Sequence, residues 1–251
     1  MFGSKTSIVK AVEDVSFSLH SDEVLVIAGE SGSGKSTIAK LILGAITPDS
    51  GKVIFRGKEI KNNTNSLMEI RMNCQMVHQD PYDSINPRMK VRDIISEPLE
   101  IHNIGHGSER EKIVLDTLRE VKLEPAEEIA SKYPHMLSGG QRQRVVLARA
   151  LVLRPKIIIA DEPVSMLDVS IRAEVLELMK DIQKKNNISF IYITHDLATA
   201  RYFGDTIIIL YLGKIMEFGP INQVLLKPRH PYTQALIDAI SEPNPDNLYK
   251  E

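Results

Sequence analysis

Gly29-Glu30-Ser31-Gly32-Ser33-Gly34-Lys35-Ser36-Thr37 satisfies the spacing G-x-x-x-x-G-K-[ST]. A phosphate cradle asks for each of these residue types. Glycines let the backbone turn so that successive N–H groups point inward, and no Cβ blocks a close approach. Lys35 supplies a compact charge for the β- and γ-phosphates, and the Ser36 hydroxyl can ligate Mg²⁺. A helix opening near Lys35 adds unpaired N–H groups and the positive end of its dipole. Just upstream, Val24-Leu25-Val26-Ile27-Ala28 reads as a short buried strand, so the loop stands between strand and helix.

The rest of the chain fits an α/β protein built on this unit. At 251 residues it can bury a substantial core as one large domain or two small ones. A composition 43% hydrophobic and 25% charged is that of a soluble globular protein, and a net charge of −2 argues against a strongly basic nucleic-acid binder. The single cysteine, Cys74, excludes an internal disulfide framework and a cysteine-rich metal site. No apolar run reaches the ~18 residues of a spanning helix. Met1-Phe2-Gly3-Ser4-Lys5 lacks the apolar region of a secretory signal, so a cytosolic protein is expected.

Alternation at Val15, Phe17 and Leu19 predicts a half-exposed strand before the phosphate loop. Residues 37–43 continue the loop's helix, with Gly44 as its cap, and Lys52 to Lys58 reads as a strand with its own turn. A short helix near 67–71 precedes a strand over 74–78 that runs into Gln79. Residues 82–136 change character: Pro87, Pro98 and Gly105 are followed by Ile113, Leu115, Leu118, Val121 and Leu123 at mostly helical spacing. This is read as a helical subdomain inserted into the core. Ser138 and Gln141 stand in the capping-box relation and open a helix to about Leu153. Apolar strands follow over 156–160 and 188–193, with a helix over 171–185 between them and another over 197–203. Residues 206–211 and 214–218 pair about Leu212-Gly213.

Two strand ends carry chemistry. Asp161 and Glu162 end an apolar strand, where open α/β sheets present functional groups. Adjacent strand residues face opposite ways, so the two carboxylates can take different tasks. Asp161 would hold Mg²⁺ and Glu162 would be general base to an attacking water. His195 could contact the γ-phosphate, though a solitary histidine after a strand is more often structural than catalytic. Ser138-Gly139-Gly140-Gln141 is harder to explain as structure. Its two glycines cost roughly 1 kcal/mol each relative to Ala in a helix. They leave an uncovered helix N-terminus that a triphosphate can approach. A second anion site in a chain that already has one predicts ATP held between two nucleotide domains.

In these residues the chain resembles the nucleotide-binding subunit of an ABC transporter, over nearly its whole length. The matching residues are the Walker A loop Gly29 to Thr37, the Q-loop Gln79, the signature Leu137 to Gln141, the Walker B strand Ile157 to Asp161 with Glu162, and the switch histidine His195. The D-loop reads Ser165-Met166-Leu167-Asp168, with Met166 where Ala is commoner. The resemblance implies a single nucleotide-binding domain over 1–251. Its P-loop core would be a mostly parallel sheet flanked by helices, at 1–80 and 155–220, including an N-terminal antiparallel β part. The helical subdomain would span 81–154 with the signature helix, and a tail 221–251.

The resemblance also implies catalysis by Glu162, His195 and Gln79, and Mg²⁺ at Ser36, Gln79 and Asp161. ATP would lie on Gly29, Ser31, Gly32, Ser33, Gly34, Lys35, Ser36 and Thr37 of one subunit and on Ser138, Gly139, Gly140 and Gln141 of the other. Asp168 would cross the interface. The family stacks an aromatic on adenine, and Phe2 is the only aromatic before Phe17, although the first strand of such domains has no counterpart upstream.

Gln79 to Met89 and His230-Pro231-Tyr232-Thr233-Gln234-Ala235-Leu236 resemble dipeptide, oligopeptide and nickel importer ATPases. Several of these bind an iron–sulfur cluster through tail cysteines, which this chain lacks. The expected partners are transmembrane permease subunits, a second ATPase subunit, like or unlike, and indirectly an extracytoplasmic solute-binding protein. The expected place is the cytoplasmic face of the membrane. Nickel or another small solute is the alternative cargo. A soluble ABC ATPase acting on nucleic acid or ribosomes is a different class, and it would show a fused second domain or a long coiled coil. A simple P-loop kinase or GTPase leaves Ser138-Gly139-Gly140 unexplained.

Overall fold

The structure, a computed structural model, describes residues 10–239, without the side chains of Tyr82 and Asp83. Phe2, and with it the adenine-stacking expectation, lies outside the described residues. The principal sheet has six strands in the order β4-β5-β6-β1-β7-β8, where β1 is Val24–Ala28, β4 Cys74–Val77, β5 Ile157–Asp161, β6 Ser189–Thr194, β7 Thr206–Tyr211 and β8 Lys214–Pro220. Strands β4, β5, β6, β1 and β7 are parallel, and β8 pairs antiparallel to β7 through the Leu212-Gly213 turn.

Strands β1, β5, β6 and β7 are near-continuous apolar runs because both faces are covered. Their alternate residues go to different cores. Val24, Val26, Ala28, Ile158, Ala160, Phe190, Tyr192, Ile207 and Ile209 face a large core shared with the helices after β4. Ile27, Ile159, Ile191, Ile193 and Leu210 face a smaller core. That second core is closed by Ile38 and Ala39 of α1 (Lys35–Ile42), Ile70 of α2 (Thr64–Asn73) and Phe55. Gly44 adopts the expected left-handed conformation just past α1.

The antiparallel part near the N-terminus is small among the described residues. It consists of β2 (Ile54–Phe55) and β3 (Lys58–Glu59). Among the described residues the strand expected at Val15, Phe17 and Leu19 finds no partner. These residues pack on the second core in the predicted alternation, but no ladder joins them to a neighbour among the described residues. Alternation reports which face is buried; a strand also needs a partner for its backbone.

Between β4 and β5 the described chain is helical: α3 (Pro81–Ser84), α4 (Val91–Ile101), α5 (Ser108–Glu120), α6 (Ala126–Ser131), a 3-10 turn Pro134–Met136 and α7 (Gly139–Leu151). The apolar residues Val114, Leu118, Val121 and Leu123 pack inward as their spacing predicts. Helix α7 lies on α4, β4 and the following helix α8 (Val169–Asn186), and ends at Leu151, two residues before the expected stop. Helix α9 is Leu197–Phe203; α10 (Ile221–Leu226) and the Pro-led α11 (Pro231–Asp238) close the described chain.

Candidate active site

Strands β1, β5 and β6 end side by side, Ala28 level with Thr194 and Asp161 level with Ile193. The residues that follow them therefore meet at one edge of the sheet, where open parallel sheets place their sites. After β1 the chain turns through Gly32 (φ +80°) and Gly34 (φ +105°) into α1. At Gly34 a Cβ would stand 2.4 Å from the Ala11 carbonyl oxygen, so only glycine fits this turn. The hairpin after β7 braces the loop from behind, with Gly213 N–H donating to the Ser33 carbonyl at 2.9 Å.

Lys35 is buried, and its Nζ donates to the carbonyls of Gly29 and Glu30, each at 2.7 Å. Burial pushes the Lys35 ammonium below its ordinary pKa, and the carboxylates of Glu162, Asp161 and Glu30 oppose that shift. The next residue connects two strand ends: Ser36 Oγ donates to Asp161 Oδ2 at 3.0 Å. Burial pushes the Asp161 carboxyl upward, Glu162 adds to the rise, and the Ser36 hydrogen bond, His78 and Lys35 oppose it. A half-buried carboxylate beside a second carboxylate and a hydroxyl is a hard-oxygen site suited to a small divalent cation. No cluster of three or more His, Cys, Asp or Glu residues able to hold a metal occurs among the described residues. The Ser36 hydroxyl and the Asp161 carboxylate fit an ion such as Mg²⁺, which takes few protein ligands and completes its shell with phosphate oxygens and water.

Glu162 does not continue the strand. β5 ends at Asp161, and Glu162 takes a left-handed φ of +49° with its N–H on the Ile193 carbonyl at 2.9 Å. The expectation that opposite strand faces separate the two carboxylates is corrected in this detail. The left-handed turn separates them, and it carries Glu162 Oε1 to 2.6 Å from His195 Nδ1. Glu162 is largely enclosed while His195 remains open to solvent, at 13% and 64% side-chain exposure. Gln79 is exposed two residues beyond β4, at the same edge of the sheet.

Ser138 caps α7 as predicted: Gln141 N–H donates to Ser138 Oγ at 3.2 Å, and Ser138 N–H donates to Gln141 Oε1 at 3.0 Å. The two glycines differ. A Cβ on Gly139 would make ordinary contact with Leu167 at 3.6 Å, whereas one on Gly140 would meet Ile171 Cγ2 of α8 at 2.5 Å. Gly140 thus has a packing reason that the sequence did not show. Ser138 is exposed, Gly139 half-buried and Gly140 buried. Asp168 is exposed at the N-cap position of α8 without a side-chain cap bond, and Met166 beside it is 63% exposed.

Two residues near the site carry weight that sequence reading missed. His78 acts electrostatically on Asp161. Asp196 caps α9, accepting from Ala198 N–H at 2.9 Å and Thr199 N–H at 3.2 Å, and so holds the turn that bears His195. An Asp directly before a helix is a recognisable cap signal; nothing in the residue pattern marks His78.

This fold and this loop define a P-loop nucleotide-binding protein. The chain belongs to the ABC transporter family, whose family model matches residues 12–165. A second family model, for the C-terminal region of oligopeptide/dipeptide transporters, matches residues 216–251. The chain is 46% identical over 242 residues to the oligopeptide transport ATP-binding protein AppF of Bacillus subtilis, covering 96% of this chain and 73% of that one. It is 45% identical over 243 residues to the oligopeptide transport ATP-binding protein OppF of Streptococcus mutans, covering 96% and 78%. A dimeric ATP-binding cassette, MJ0796, in a post-hydrolysis state with ADP and Pi, superposes with a TM-score of 0.75 at 30% identity, covering 88% of this chain and 94% of that one. The protein is an ABC-type ATPase. No helix among its described residues is long and apolar enough to cross a membrane.

Proposed function

We propose that this chain is the ATP-hydrolysing subunit of a peptide importer, acting at the cytoplasmic face of the membrane on transmembrane permease subunits. The observation that carries the catalytic part is the convergence of Ser36–Asp161 and Glu162–His195 at one sheet edge. Peptide as cargo, rather than nickel, is supported by the match over 216–251 and by the names of the relatives. An extracytoplasmic solute-binding protein would deliver that cargo to the permease.

In this reading residues 1–80 and 155–220 form the core of one nucleotide-binding domain, 81–154 its helical part and 221–251 its tail. The Gly29–Thr37 loop holds the triphosphate, and the Lys35 hydrogens that now serve two loop carbonyls serve phosphate oxygens instead. Ser36 and Asp161, with Gln79 nearby, would hold Mg²⁺, which would supply positive charge to neutralise that developing on the phosphates. Glu162 takes a proton from water as its oxygen attacks the γ-phosphorus and the bond to the bridging oxygen breaks, giving ADP and phosphate. His195, hydrogen-bonded to Glu162, orients the base and reaches toward the γ-phosphate. Ser138, Gly139, Gly140 and Gln141 contact the nucleotide of a second ATPase subunit, like or unlike, and Asp168 crosses that interface. Closure of the pair on ATP and reopening after hydrolysis moves the permease.

Titration of hydrolysis against Mg²⁺ tests the site. Ser36→Ala should need roughly tenfold more Mg²⁺ for half-maximal rate, while Glu162→Gln should bind Mg-ATP and not turn it over. An unchanged Mg²⁺ requirement in Ser36→Ala would remove the assignment of the cation to this pair.

A further inference from the structure

We infer that Arg172 is a positioning residue that locks the turn ending at Asp168 to the turn bearing His195, and so sets the geometry of the Glu162–His195 pair. The inference rests on the catalytic roles proposed for that pair.

Arg172 stands on the first turn of α8, its N–H donating to the Asp168 carbonyl at 2.8 Å. Its guanidinium spreads in two directions. Nη1 donates to Asp196 Oδ2 at 3.2 Å and Nη2 to the Leu167 carbonyl at 3.3 Å. Arg172 and Asp196 are 29% and 31% exposed, so the pair is partly shielded from water and its charge-assisted bonds are worth more than those of a surface pair. Asp196 is used at both oxygens, since Oδ1 caps α9, and its own N–H donates to Thr194 Oγ1 at 3.0 Å. His195 lies between Thr194 and Asp196 and cannot shift without shifting that turn.

The other arm of the fork closes a ring. Glu162 opens the turn that leads to Leu167, and its carbonyl accepts from Ser165 N–H at 3.2 Å and Ser165 Oγ at 3.0 Å. The chain of contacts therefore runs from Glu162 through this turn to Leu167, across Arg172 to Asp196, and through His195 back to Glu162. A planar fork holds its donors apart in fixed directions, which suits a carbonyl and a carboxylate on two different turns, whereas an ammonium directs its donors from a single atom. Burial of Arg172 Nε without a hydrogen-bond partner points the same way. An apolar side chain would fill that place without stranding a donor, so the guanidinium is retained for its two outer nitrogens.

The test uses the full chain with Arg172→Met, which keeps an apolar stem, Asp196→Asn, which keeps a good helix cap, the double variant, and Arg172→Lys. Nucleotide affinity should stay within about twofold, while kcat falls about tenfold in each single variant. The double variant should be no slower than either, because the ring is already open. Arg172→Lys should recover only part of the rate. In nucleotide-free protein, amide exchange should quicken together over residues 162–168 and 194–199 in each variant. Full-speed hydrolysis by Arg172→Met, additive losses in the double variant, or faster exchange confined to α8 would each overturn the inference. Absence of hydrolysis by the unaltered chain, both alone and with an unlike ATPase subunit, would count against the proposed function instead, and the exchange data would still judge the ring.

Discussion

Gly139 and Gly140 sit side by side at the start of α7, yet alanine should have opposite effects on stability at the two positions. The gain in helix propensity is up to about 1 kcal/mol at either. At Gly139 nothing opposes it, since the added Cβ finds Leu167 at 3.6 Å. At Gly140 the Cβ would lie 2.5 Å from Ile171 Cγ2, about 1 Å inside ordinary contact. Ile171 is β-branched and held on a helix, so its χ1 has little freedom to yield. Overpacking of this kind costs about 1–3 kcal/mol. Gly140→Ala should therefore be less stable than the parent by about 1 kcal/mol, and Gly139→Ala equal to it or slightly more stable, in urea unfolding at constant m. Combining Gly140→Ala with Ile171→Ala should remove the clash and bring stability back to that of Ile171→Ala alone. Equal stabilities for the two alanine variants would refute this account of Gly140. ATP turnover adds a separate axis: Gly139→Ala should hydrolyse more slowly despite its sound fold, because in the proposed reading that face meets the partner's nucleotide.

Asp161 makes stability depend on pH in a defined direction. Its folded pKa is raised by burial, so between the unfolded value near 3.8 and the folded value the native state binds more protons than the unfolded chain. In that window its contribution falls as pH rises, and Asp161→Asn should flatten this part of a urea-midpoint profile taken without nucleotide or Mg²⁺; a profile of unchanged slope would contradict the burial argument. The tail helix should be held by its aromatic pair, since Tyr232 lies on Tyr211 with ring centroids 4.3 Å apart. Tyr232→Ala should lower stability by about 1–2 kcal/mol while Tyr232→Phe changes it by less than about 1 kcal/mol, measured by thermal unfolding.

The fold was legible where both faces of a strand are buried or a cap is local. Strands β1, β5 and β6 read as apolar runs because helices cover them on both sides. The start of α7 was legible because Ser138 and Gln141 satisfy each other within one turn. Contacts between distant segments were not legible. Alternation at Val15, Phe17 and Leu19 marked the buried side correctly but could not report whether a neighbouring strand was present. Ser36 was visible in the phosphate loop, and Asp161, Glu162 and His195 as strand-end groups. Their pairing depends on strand order and on a left-handed Glu162, which no local pattern encodes. No sequence signal singles out Arg172; its role depends on the fold bringing Asp196 beside it.

The most direct test of the central claim is the size of the Glu162→Gln protein by light scattering, with and without saturating Mg-ATP. Removal of the proposed base should leave binding intact and halt hydrolysis, so ATP stays bound between two phosphate loops and two Ser138 turns. The account predicts a dimer only with Mg-ATP, for the chain alone or co-expressed with an unlike ATPase subunit from the same importer, and loss of that dimer when Ser138 is replaced by Arg. A protein that binds Mg-ATP yet remains monomeric in both settings would contradict it.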